Sequence, residues 1–241
     1  MINIDKISVS YDSKTVLENV SMKVKDGDFI GIIGPNGGGK TTLLKAVLGL
    51  VKISSGQIEY KEDIRIGYLP QQSHIDTMFP ISVKDVIKSG LMNCNPKTSV
   101  QERNAYRERF ENLTERMHIN NILNKSIGEL SGGQMQKAFL CRALISKPEV
   151  ILLDEPNTYI DKESEFELYD FIQNDKYVKS ILLVSHDIGT ISQYVKSYAC
   201  VNKELHYHDN NKITEDFLNK YGCPIQLVTH GDIPHTVLKH H

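Results

Sequence analysis

The chain has 241 residues, with 28 Lys and Arg against 30 Asp and Glu and a formal net charge of −2, so it can bury a sizeable core and its overall field does not point to a nucleic-acid partner. Met1-Ile2-Asn3-Ile4-Asp5 is no basic-then-apolar leader, and no apolar run approaches the roughly 18 residues of a membrane span. A soluble chain is expected, reaching any membrane through a partner.

Ile2 to Tyr11 and Val16 to Lys25 carry alternating apolar residues (Ile2, Ile4; Val20, Met22, Val24) on either side of Asp12-Ser13, which predicts two antiparallel strands joined by a turn. Tyr11 ends the first strand, where its ring either stacks on an adenine face or is an ordinary strand-end tyrosine; its position leaves both readings open. Next, Phe29-Ile30-Gly31-Ile32-Ile33 leads into Gly34-Pro35-Asn36-Gly37-Gly38-Gly39-Lys40-Thr41-Thr42 and a helix over Lys40–Leu50. This fits the phosphate-binding pattern G-x-x-x-x-G-K-[ST] at every fixed position and in its strand-loop-helix setting. The glycines let successive backbone amides turn toward a triphosphate, and the helix N-terminus adds its positive dipole end. Lys40 is the candidate for the β- and γ-phosphates, Thr41 for Mg²⁺, and Thr42 for the helix's first turn.

Ser54-Ser55-Gly56 predicts a turn, followed by short strands over Gln57–Tyr60 and Arg65–Leu69, the latter running into Pro70-Gln71-Gln72. Residues 73–147 then change character and read as an inserted helical lobe. Ser82-Val83-Lys84-Asp85 resembles a helix cap, and Ser99 to Met117 is charged with a narrow apolar face of Val100, Ala105, Phe110 and Leu113. Leu130-Ser131-Gly132-Gly133-Gln134 opens another helix through Ile145, and its terminus is a potential phosphate site or simply a helix cap.

The core resumes with Val150-Ile151-Leu152-Leu153-Asp154-Glu155-Pro156, an unbroken apolar run expected to be covered on both faces. Asp154 would hold Mg²⁺ through water, and Glu155 would orient or deprotonate the water that attacks the γ-phosphate. Ser180 to Val184 predicts a further strand ending in Ser185-His186-Asp187, where His186 can hydrogen-bond the γ-phosphate. Cys94, Cys141, Cys200 and Cys223 form no C-x-x-C pair, and a chain of this length needs no disulfide to fold, so a reducing, cytosolic setting is the simplest inference.

The order of Tyr11, the GPNGGGKTT loop, Gln71, LSGGQ, ILLDEP, Asp161 and His186 resembles the ATP-binding subunit of an ABC transporter, from about Val9 to Asp187. The resemblance implies an α/β P-loop ATPase core, a mixed sheet with an antiparallel N-terminal subdomain, carrying the helical lobe within one ATP-binding domain. It also implies roles. Tyr11 stacks on adenine, Gln71 contacts Mg²⁺ and senses the permease, and Glu155 is the catalytic carboxylate. Ser131, Gly132, Gly133 and Gln134 engage the ATP held by a second copy, and Asp161 crosses that dimer interface. A head-to-tail pair makes physical sense, since a serine and helix terminus from the partner enclose a γ-phosphate that one loop leaves half exposed. Lys137, Asn157 and Tyr159-Ile160 depart mildly from the family's usual residues there, which bears on interface geometry and not on ATP chemistry.

Ile66-Gly67-Tyr68-Leu69-Pro70-Gln71 followed by Phe79-Pro80-Ile81-Ser82-Val83, and the GPNGGGKTTLLK form of the loop, are similar to the zinc- and manganese-uptake branch of that family. That implies a separate integral-membrane permease, an extracytoplasmic metal-binding protein acting indirectly, a peripheral place on the cytoplasmic side of the cell membrane, and no nucleic acid. Zinc is the expected cargo, with manganese or iron as alternatives. The tail, 206–241, holds six of nine histidines (His206, His208, His230, His235, His240, His241) and Cys223. Imidazole and thiolate suit Zn²⁺, which a tail that reports cytosolic metal to the ATPase would bind, but the lack of tight spacing better fits a tail that packs through Val228, Ile233 and Leu238. A soluble ABC-type ATPase without a permease, a nucleotide-binding module without turnover and a kinase are the readings of other classes. They fit less well with a single cassette of 241 residues that carries Glu155, His186 and LSGGQ together.

Overall fold

The computed structural model describes residues 1–71, 75–92, 99–156, 162–209, 225–229 and 234–238. Its contacts divide the chain into two units, one of Met1–Ile64 with Lys179–His241 and the other of Arg65–Val178.

In the first unit, β1 (Ile2–Tyr11) pairs antiparallel with β2 (Lys14–Val24) on one edge and β4 (Ser55–Tyr60) on the other. The turn between β1 and β2 holds Asp12 at φ 44° and Ser13 at φ 70°, the left-handed pair that a two-residue hairpin requires. Alternation buries Ile2, Ile4, Ile7 and Val9 against Leu17, Val20, Met22 and Val24. The spacing slips between Ile4 and Ile7, and a register shift there, with Lys6 at φ 47°, keeps Ile7 on the buried face.

The other sheet of this unit has β3 (Phe29–Ile33) in the middle, parallel to both β7 (Ser180–Val184) and β8 (Ser197–Asn202), with β9 (Glu204–His208) antiparallel on β8. Every residue of β3 and β7 is buried, as unbroken apolar runs covered on both faces must be. α1 (Lys40–Val47) buries Leu43, Leu44, Ala46 and Val47. β10 (Ile225–Thr229) and β11 (Pro234–Leu238) form an antiparallel hairpin. Of the tail's candidate metal ligands, His206 and His208 lie on β9 and His235 on β11, while Cys223, His230, His240 and His241 fall outside the described residues. Among the described residues no three His, Cys, Asp or Glu gather to hold a metal ion.

In the second unit, β5 (Ile66–Leu69) runs parallel to β6 (Val150–Asp154), Ile66 facing Val150 and Leu69 facing Leu153. Three of its helices start on serine caps. Ser82 caps α2 (Val83–Ser89), while α3 (Val100–Arg116) and α4 (Gly132–Leu144) begin with reciprocal boxes, Ser99 with Glu102 and Ser131 with Gln134. α5 (Lys162–Gln173) completes the set. α4 buries Met135, Ala138, Phe139, Leu140, Cys141, Ala143 and Leu144.

The narrow face expected of α3 differs in its members. Leu113 is buried, but Val100 is 63% exposed and the charged Arg109 lies inside. Arg109 is tolerated there because Nη2 donates to the Leu144 carbonyl at 3.2 Å and to the fully buried Asp175 carboxylate. Of the described cysteines, Cys141 is a buried free thiol and Cys200 on β8 is disulfide-bonded. Length removes the need for a disulfide without preventing one where two sulfurs meet. Among the described residues, no helix is long and apolar enough to cross a membrane.

Candidate functional site

β3 delivers the chain into the phosphate loop of the first unit. Gly34 turns at φ 143° and Gly39 at φ 104°. A Cβ on Gly34 would stand 2.1 Å from the Val201 carbonyl oxygen, and one on Gly39 would stand 2.6 Å from Leu17 Cδ2, so both conformation and space demand glycine. The Lys203 amide donates to Gly38 O at 3.0 Å, holding the loop against the end of β8. Gly39 is the N-cap of α1 and offers no side-chain cap, and no acidic residue lies in the first turn, which leaves that helix end suited to an anion. Lys40 is only 6% exposed, its Nζ donating to Gly34 O at 3.0 Å and Pro35 O at 2.9 Å. The side chain therefore lies along the loop. Asn36 and Gly37 are exposed at its tip, and Thr41 and Thr42 are half-buried.

Two further candidates belong to the same unit. The Ser185 amide donates to Ile32 O at 3.3 Å, which sets the end of β7 beside the end of β3 and brings the exposed His186 to the edge from which the loop departs. Tyr11 ends β1 with 45% of its surface exposed.

In the second unit, β6 carries Asp154 and Glu155 to its C-terminal end. Asp154 is fully buried, and the Tyr68 hydroxyl of β5 donates to its Oδ2 at 3.3 Å. Burial, and then the Asp154 charge, push the Tyr68 phenol well above its ordinary range, so it stays a donor at neutral pH. Glu155 leaves the strand at φ 49°, a left-handed backbone that a side-chain-bearing residue adopts only where its surroundings enforce it. Gln71 Nε2 donates to Glu155 Oε2 at 2.8 Å. Ser131 is exposed at the N-cap of α4, its Oγ accepting from the Gln134 amide at 3.3 Å while Gln134 Oε1 accepts from the Ser131 amide at 3.2 Å. Gly132 and Gly133 are half-buried in the first turn, and Asp161 lies outside the described residues.

Two residues here escaped the sequence reading. Tyr68 is one; Gln136, 2% exposed, is the other, with Nε2 donating to Pro156 O and so tying α4 to the segment after Glu155. A signal existed for Gln136. It is a polar residue in the buried helical row with Met135, Phe139 and Leu140.

The ABC transporter family profile matches residues 17–158, a stretch that takes in the phosphate loop, Gln71, Ser131–Gln134, Asp154 and Glu155. The chain belongs to the ABC transporter family. This ABC-type ATPase is 35% identical over 216 residues to the zinc uptake system ATP-binding protein ZurA of Listeria innocua, covering 85% of this chain and 84% of that protein. It is 35% identical over 207 residues to the zinc import ATP-binding protein ZnuC of Hydrogenovibrio crunogenus, covering 85% of this chain and 80% of that one. Its fold is that of a solved dimeric ATP-binding cassette in a post-hydrolysis state with ADP and Pi, with a TM-score of 0.73 at 22% identity over 89% of this chain and all of that one.

Proposed function

We propose that this chain is the ATP-hydrolysing subunit of an importer for a divalent metal, with zinc as cargo, working as a head-to-tail dimer beneath a separate permease on the cytoplasmic side of the membrane. The zinc assignment is supported by 35% identity to two proteins named for zinc uptake and import. The observation that carries coupling to a permease is the 2.8 Å bond from Gln71 to Glu155. A push on the Gln71 segment by a docked partner would move the carboxylate that activates water.

In this reading Glu155 takes a proton from the water whose oxygen forms the new bond to the γ-phosphorus, while the bond to the β–γ bridging oxygen breaks and ADP leaves with phosphate. Gln71 fixes the orientation of the Glu155 carboxylate. Lys40 and the amides of Gly37–Thr41 hold the β- and γ-phosphates, His186 hydrogen-bonds the γ-phosphate, and Tyr11 stacks on adenine. The Thr41 hydroxyl, the Asp154 carboxylate and the Gln71 carbonyl are the hard oxygen donors that Mg²⁺ prefers, and Tyr68 keeps Asp154 oriented toward that task. Mg²⁺ held by these oxygens would neutralise charge on the triphosphate. Ser131–Gln134 and Asp161 of one copy close over the nucleotide of the other. An extracytoplasmic metal-binding protein delivers cargo to the permease without touching this chain.

The test is ATP turnover by the chain in vesicles with its permease, with Zn²⁺ or Mn²⁺ supplied through the binding protein. Zn²⁺-dependent stimulation that disappears in Glu155→Gln is the expected result. Stimulation by Mn²⁺ alone would reassign the cargo, and stimulation by neither metal would remove the metal assignment and leave the ATPase.

A further inference from the structure

A cavity of about 450 Å³ opens wholly within the Arg65–Val178 unit, between α3 and the segment that follows α5. Its lining includes four cations, Arg109, Arg116, Lys147 and Lys176, against two carboxylates, Glu108 and Asp175. That local excess of positive charge belongs to a chain whose formal net charge is −2.

Asp175 offsets Arg109, which leaves Arg116, Lys147 and Lys176 against Glu108. Asp175 is consumed in holding the wall: it is fully buried, accepts from Arg109 Nη2, and its Oδ1 accepts from the Tyr177 amide at 3.1 Å. Tyr177 then gathers three charges on one ring, with Arg109 Cζ 5.2 Å, Lys147 Nζ 5.5 Å and Lys176 Nζ 5.0 Å from its centroid. Lys147 also sits 4.9 Å from the Tyr106 ring. Cation–π contact positions an ammonium group and leaves its charge intact. Among the described residues neither lysine has a carboxylate within ion-pair distance, so like charges face one another across an open, partly desolvated cavity. A solvated basic face would spread such charges apart, whereas here the half-buried Lys147 and the exposed Arg116 and Lys176 converge on one hollow.

We infer that this cavity is a second anion site, distinct from the phosphate loop, and that it takes a compact polyanion of the di- or triphosphate kind. Its volume admits a small phosphorylated molecule. Nothing in the ATPase reading uses Arg116, Lys147 or Lys176.

The experiment is calorimetric titration of the full chain with inorganic pyrophosphate, the nucleotide site saturated with ADP and magnesium omitted so that the probe is not sequestered. One binding event per chain is expected, weakened at least tenfold in Lys147→Gln/Lys176→Gln and unchanged in Arg107→Gln, whose exposed side chain on the same helix is paired with Glu111. ADP affinity and melting temperature of the double variant check that it is folded. Should it fail that check, the exposed Lys176→Gln alone is read, with a severalfold loss expected. Absence of pyrophosphate binding to the ADP-loaded chain, or binding that the lysine substitutions leave unchanged, overturns the proposal.

Discussion

Glu155 combines two properties that a passive strand end does not need: a backbone at φ 49° and a carboxylate held at 2.8 Å by a side chain 84 residues away. If it is the general base, Glu155→Gln lowers ATP turnover by about 100-fold or more while nucleotide affinity stays near that of the parent. Steady-state hydrolysis together with a nucleotide titration checks this, and retained turnover would remove Glu155 from the role. Tyr68→Phe is a finer probe. Without its donor, the Asp154 carboxylate is less firmly held, and the Mg²⁺ concentration for half-maximal turnover rises by roughly tenfold. A Mg²⁺ titration at saturating ATP that matches the parent would reduce Tyr68 to packing. Lys40, Thr41, Asp154 and Glu155 could be singled out as candidates from the sequence because each belongs to a short contiguous pattern. Tyr68 could not, since the acceptor that gives it meaning stands 86 residues away.

Among the helices, α3 and α4 begin with the same device, a serine that accepts from the third amide while the third side chain reaches back. Ser99→Ala and Ser131→Ala should each cost about 1 kcal/mol of stability, read as a shift in urea midpoint. Only Ser131→Ala should also depress turnover, because Ser131 is the cap proposed to face a second copy's nucleotide; equal turnover in both variants would make it a cap alone. The buried pair of α3 is more costly to break. Asp175→Ala leaves the Arg109 guanidinium without its carboxylate and should destabilise by about 3–5 kcal/mol in the same assay. Capping serines and buried apolar strands were visible as local chemistry and periodicity. The inward place of Arg109 was hidden, because helical spacing marks a charged residue as solvated unless a partner from elsewhere in the chain is known.

Across the whole molecule, buried groups that hold their protons set an alkaline limit, Cys141 and Tyr198 among them. Burial pushes the Cys141 thiol up to about 12 from an ordinary 9.0, and burial likewise raises the Tyr198 phenol above its ordinary 10.0. Both keep their protons longer in the native state than in the unfolded one, so their contribution is fully present below pH 9 and is lost as pH rises above the unfolded values, by about 1.4 kcal/mol per pH unit for each group. Urea midpoints should fall from pH 9 upward, and in Cys141→Ala the decline should begin nearer pH 10; identical profiles would show that the thiol does not contribute. A second whole-molecule expectation concerns assembly: light scattering of Glu155→Gln with ATP should report a dimer that ADP does not support. The sequence by itself determined the ATPase core, its phosphate loop and its acidic strand end, because these depend on neighbouring residues and on the period of apolar positions. Only the tertiary structure decided that Gln71 grips Glu155, that Tyr68 meets Asp154 and Gln136 meets Pro156 within the second unit, and that Arg109 and two lysines converge on a cavity, since each depends on side chains that meet only when distant segments pack.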